Sequence, residues 1–103
     1  MPLDWNGVSS RINGLLNLSD ADDIARAASR LEVRVYQVEE TLKGQSRLST
    51  LKVAAAMVRV YAMDPSWLMT GVYDDETHRI GMRRDRVEID RAIARLVTTR
   101  TGQ

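Results

Sequence analysis

Two groups of side chains in this chain are of types that could do chemistry. Asp74, Asp75, Glu76 and His78 lie close together in sequence, a mixture that can hold a divalent cation or move a proton. The chain has no cysteine and His78 is its single histidine, so the nitrogen-rich and thiolate ligand sets of zinc sites are missing. Four neighbouring polar residues in a connecting stretch are ordinarily solvated. Ser9, Ser10, Ser29, Ser46, Ser49 and Ser66 show no nucleophile pattern, and Gly7, Gly14, Gly44, Gly71 and Gly81 never form a phosphate-cradling run. Neither catalysis, nor a metal, nor a cofactor is expected.

The second group is Arg34, Tyr36, Gln37, Lys43 and Arg47, gathered around one short segment, RVYQVEETLKG. Arg34 and Gln37 carry side chains that can make paired hydrogen bonds to base edges, worth about 1–3 kcal/mol each in discrimination. Tyr36, Lys43 and Arg47 suit phosphate contacts that set register. Each alone reads equally well as a solvated surface residue. Only a scaffold that presents them together would make them an interface.

The elements that would do so are helical. Val8, Ile12, Leu15 and Leu16 recur at helical spacing over residues 5–17, weakened by Gly7 and Gly14. Ser19 or Asp20 can cap the next helix, whose Asp20, Asp22 and Asp23 suit its positive end and whose Ile24, Ala27, Ala28 and Leu31 make a thin face of mostly small side chains. After two or three residues Val35, Val38 and Leu42 repeat the pattern, closed by Gly44. Ser49 or Thr50 can cap a fourth helix with Leu51, Ala54, Ala55, Val58 and Tyr61 as core candidates, and Met57, Met63 and Met69 read as packing residues. Asp64-Pro65 ends that helix and starts a short fifth over 65–70, which folds Trp67 and Leu68 back over the others, the tryptophan as a lid, before Gly71. The polar stretch after Gly71 reads as a linker. A last helix is expected at about 84–98, with Ile89, Ala92, Ile93, Leu96 and Val97 in one stripe. Because five helices would already cover their own core, that stripe is expected to pair with a second copy of the chain, although folding back onto its own domain is the other option.

The 103 residues suit one core, with an expected boundary between 1–71 and 72–103. Fifteen basic and 14 acidic residues give a net charge of +1, so any nucleic-acid contact must come from a local patch. No apolar run approaches the roughly 20 residues of a bilayer span, and the start MPLDWNG lacks the features of a signal peptide, so a cytoplasmic location without membrane contact is expected.

With five short helices, a tight connection between the second and third, and a proline-tryptophan fifth, residues 8–71 resemble the lambda-repressor-like helix-turn-helix domain of Xre/Cro-type regulators. Leu51, Met57, Pro65, Trp67, Leu68 and Gly71 match the family's last two helices. Ala28, Leu31 and Val33 match its helix-two alanine, apolar residue and turn valine, and Val38 and Gly44 match the core residue and terminating glycine of helix three. Glu32 stands where glycine is common, and Arg34 replaces the capping serine or threonine. Glu39 and Glu40 stand where DNA-facing polar or basic residues are common, and carboxylates near phosphates oppose binding. The resemblance implies an all-α, compact five-helix domain, to which the apolar periodicity adds a C-terminal amphipathic helix. It implies a transcriptional regulator, a repressor by preference and of bacterial or phage type, binding double-stranded DNA as a homodimer. The alternative is an adaptor or antirepressor whose acidic third helix meets a protein partner.

Overall fold

Seven helices and no strand make up residues 3–101, the part of the chain that the computed structural model describes. They are α1 (Trp5–Leu16), α2 (Ala21–Leu31), α3 (Val35–Leu42), α4 (Arg47–Tyr61), α5 (Pro65–Thr70), α6 (Asp75–Arg83) and α7 (Arg86–Thr101). Residues 1–2 and 102–103, the outer ends of the two expected segments, lie outside the described residues. The fold is all-α, with two helices after Gly71 where one was expected. No helix among the described residues is long and apolar enough to cross a membrane.

Short oxygen-bearing side chains start most of these helices. Asp4 accepts from the Gly7 N–H, Asp20 from that of Asp23, Ser46 from that of Ser49 and Asp74 from that of Glu76, each satisfying one of the donors that a helix start leaves unpaired. The cap of α4 is thus Ser46. Ser49 and Thr50, expected as caps, are buried inside the helix, where Thr50 donates to the Ser46 carbonyl at 2.7 Å.

The core is built around α4, which touches every other helix. Val53, Met57 and Val58 on α4 are at most 1 % exposed, and they are packed in with Val8 and Ile12 of α1, Leu31 of α2, Val38 of α3 and Leu68 and Met69 of α5. A helix surrounded in this way is apolar on several sides and has no single stripe. That is why the one-face reading includes Tyr61, which is 40 % exposed, and leaves out the fully buried Val53.

Beyond Gly71 the structure departs from expectation. The stretch read as a linker contains α6, with Asp75 and Glu76 in its first turn and Arg83 in its last, an arrangement that complements the helix dipole. Its inner face is short of large apolar side chains, because the residue buried there is Gly81, with Ile80 half-buried beside it. An ideal Cβ on Gly81 would stand 1.9 Å from the Met63 carbonyl oxygen, so only glycine lets α6 lie this close to the α4–α5 junction. α7 then turns back across α4 and α5. Ile89, Ala92 and Ile93 are 1 %, 3 % and 4 % exposed, and Leu96 and Val97 pack partly buried against the same core. The stripe assigned to a second copy of the chain is therefore covered within its own chain, because the first five helices leave α4 and α5 faces that α7 must cover.

The junction of α4, α5 and α6 is organised by Asp64, which is 5 % exposed. Its carboxylate accepts from the Ser66 N–H at 3.0 Å, the Trp67 N–H at 3.3 Å, the Asp74 N–H at 2.8 Å and the Thr77 hydroxyl. One side chain thus caps α5 and ties down the start of α6. At the other end of α5, Arg11 donates to the Leu68 carbonyl at 2.9 Å, and its burial pushes the guanidinium pKa down against the opposing pull of Asp4. Leu68 is fully buried as expected, whereas Trp67 is only half-buried and shares the covering with the fully buried Met69.

Two substitutions probe this junction. Asp64→Ala strands several donors in a buried setting and should lower unfolding free energy by about 2–4 kcal/mol in urea titration. Gly81→Ala gains helix propensity of about 1 kcal/mol but drives a methyl into a backbone oxygen, so a net loss of about 2 kcal/mol is expected; any gain in stability would contradict the packing described.

Candidate nucleic-acid interface

Three residues, Glu32, Val33 and Arg34, join α2 to α3. The Val33 N–H donates to the Ala28 carbonyl at 3.0 Å and the Glu32 N–H to the Ser29 carbonyl at 3.2 Å, the paired closure of a helix that ends on a left-handed residue. That residue is Glu32, at φ +58° and ψ +42°, a conformation that costs a non-glycine about 1–2 kcal/mol. Val33 packs against the core and fixes the turn from inside. Arg34 is extended at φ −81° and ψ 149° and gives α3 no side-chain cap. Instead the Gln37 side-chain oxygen accepts from the Arg34 N–H at 3.0 Å.

α3 is fastened on one side and open on the other. Val38 and Thr41 are fully buried, and Thr41 donates to the Gln37 carbonyl at 2.7 Å. The helix ends with the Gln45 N–H on the Glu40 carbonyl at 2.9 Å and the Gly44 N–H on the Thr41 carbonyl at 3.1 Å, with Gly44 at φ +66°. On the outer side Tyr36 is 55 % exposed, and Arg34, Glu39 and Lys43 are exposed with it.

The five residues singled out for DNA contact separate into two sets. Arg34, Tyr36 and Gln37 line a cleft of about 420 Å³ at the start of α3. Lys43 follows the far end of α3, and Arg47 holds its guanidinium 5.4 Å from the centre of the Trp5 ring, beside Gly44 and Gln45. The Gln37 oxygen already accepts from the Arg34 N–H, which leaves it one further acceptor position beside the two donors of its amide nitrogen. Sequence reasoning missed three further cations on the first cleft: Lys52 and Arg59 of α4 and Arg86 of α7. Lys52 and Arg59 are seven residues apart, two helical turns on one side of α4, a spacing legible in the sequence. Nothing local marks Arg86, which arrives only because α7 folds back.

The two carboxylates that oppose DNA contact also separate. Glu40 is half-buried and accepts from the Ser49 hydroxyl at 2.7 Å, joining α3 to α4. Glu39 is exposed. A second acidic group lies at the start of α2, where the Ser19 N–H and then Arg26 hold the Asp23 carboxyl below its usual range. At the C-terminal end of α2, a hydrogen bond to the Tyr61 hydroxyl raises the Arg30 pKa.

The residues around His78 serve the helix they belong to. Asp74 caps α6, Tyr73 donates to Asp75 at 2.9 Å and has its pKa raised by that bond, and the His78 and Tyr73 rings lie 5.4 Å apart. Among the described residues, no group of three or more His, Asp or Glu side chains is placed to hold a metal ion.

No protein-family model, curated protein or solved structure matches the chain.

The different settings of the two glutamates can be separated by unfolding measurements. Glu40→Ala leaves the buried Ser49 hydroxyl without its acceptor and should cost about 1–2 kcal/mol, whereas Glu39→Ala should stay within about 0.5 kcal/mol of the parent.

Proposed function

We propose that α1–α5 form a lambda-repressor-like helix-turn-helix domain, and that the protein is a sequence-specific DNA-binding regulator, a repressor by preference. The observation that carries this reading is the α2–α3 unit, in which a three-residue turn pinned by Val33 precedes a short helix with a buried inner face and Arg34, Tyr36 and Lys43 on its outside. An exposed helix of this size fits the major groove of B-DNA, whose width of about 12 Å admits one helix. Arg34 at its start is the residue for a guanine edge, and Tyr36, Lys43 and Arg47 are the phosphate contacts. Gln37 plays a lesser part than its type implies, since its oxygen caps the helix.

A dimer on a two-fold operator would place two copies of α3 about 34 Å apart. Its contact surface must lie outside the face of Ile89, Ala92 and Ile93, which the chain uses for itself. The adaptor reading rested on two carboxylates facing outward from α3, and Glu40 is engaged with Ser49, so that reading keeps only Glu39.

Selection of binding sites from random duplex DNA tests the proposal. The full chain should enrich a near-palindrome with half-sites about one helical turn apart, and affinity should fall with added salt. Arg34→Ala should weaken binding to the enriched site by about 5- to 150-fold and relax one base position, equivalent to about 1–3 kcal/mol. Failure to enrich any sequence at low salt, with the protein folded, would overturn it.

A further inference from the structure

The cleft at the start of α3 collects positive charge from three separate elements. Arg34 comes from the turn, Lys52 and Arg59 from α4 and Arg86 from α7, against the acids Glu32 and Asp90. None of these four cations forms an ion pair: the ion pairs among the described residues are Arg26 with Asp23 and Arg83 with Glu88. Arg59 is partly held by the Leu31 carbonyl, at 3.5 Å. Ala55 and Ala56, with small side chains, line the same cleft. With Glu32 and Asp90 on the same lining the four cations leave a formal excess of two positive charges, which a divalent anion neutralises and a single carboxylate does not.

We propose that this cleft is a phosphate-binding site, taking a group that carries at least two negative charges. The volume of about 420 Å³ admits a diphosphate-sized group. Two sources supply that chemistry: neighbouring backbone phosphates of a bound duplex, or a free phosphorylated small molecule. In either case α7 contributes through Arg86, so the anion bridges the last helix to the start of α3. The site stands on its own geometry and does not rest on α3 reading DNA.

Titration of the full chain with inorganic pyrophosphate, followed by amide resonances, tests the site. Saturable shifts are expected at residues 34–37, 52 and 86. The double variant Lys52→Gln with Arg86→Gln should bind at least tenfold more weakly at an unchanged melting temperature, and the control pair Arg91→Gln with Arg95→Gln, which removes the same charge elsewhere on α7, should bind as the parent does. If backbone phosphates are the occupant, pyrophosphate displaces duplex DNA and the double variant lowers the salt dependence of DNA binding by about one to two phosphate contacts. If the occupant is a free ligand, the double variant loses pyrophosphate and keeps any DNA affinity of the parent. Both results support the site. Absence of saturable shifts, or an equal loss in the control pair, overturns it, and a chain that binds no DNA leaves this readout intact.

Discussion

The Asp64 carboxylate is the constraint on which the arrangement turns. A helix as short as α5 has no propensity-driven stability of its own, because nucleating a helix is costly and six residues return few hydrogen bonds. Its position is imposed at both ends, by Asp64 on the N–H groups of Ser66 and Trp67 and by Arg11 on the Leu68 carbonyl. Because the same carboxylate also accepts from Asp74 and Thr77, the place where α6 begins is fixed relative to α5. Gly81 can then meet the Met63 carbonyl, and α7 returns across the exposed sides of α4 and α5. An acid chosen to cap one turn thereby determines how the last third of the chain docks.

That docking reaches the candidate interface. Arg86 lies at the first position of α7 and on the same cleft as Arg34, so the charge at the start of α3 depends on a helix some fifty residues further along the chain. Long-range packing also decides the meaning of the acidic pair on α3. Glu40 is spent on Ser49 of α4, and Glu39 is left as the carboxylate that meets solvent beside Tyr36. Two residues of one type, adjacent in sequence, therefore carry opposite structural roles.

Much of this was legible in the residues. The Asp-Pro stop, the glycines after α3 and α5, and the periodic apolar positions of α2 and α3 correspond to α-helices where they were expected, because these signals act over a few residues. The misses share a cause. α6 carries end signals in Asp74, Asp75, Glu76 and Arg83, but its innermost residue is a glycine, so the stretch reads as a polar connection until the close approach to the Met63 carbonyl is seen. The α7 stripe was read correctly as amphipathic and given the wrong neighbour, since amphipathicity says that a face must be covered and never by what. Gln37 was read by its hydrogen-bonding capacity, while the backbone N–H of Arg34 had the prior claim on its oxygen.

Net charge misled for a related reason. Fifteen cations and 14 anions look balanced, yet the anions are used very differently from the cations. Asp4, Asp20, Asp64 and Asp74 sit on helix starts, Asp85 accepts from the Glu88 N–H at the start of α7, and Asp23 and Glu88 are paired with arginines. A carboxylate on a helix start faces roughly half a unit of positive charge from the aligned peptide dipoles, which holds it to that helix end. Arg34, Lys43, Lys52 and Arg86 have no comparable partner and are exposed. The cations on the cleft at the start of α3, Arg34, Lys52, Arg59 and Arg86, outnumber the acids beside them, Glu32 and Asp90, so a chain that is nearly neutral overall carries a local positive excess there.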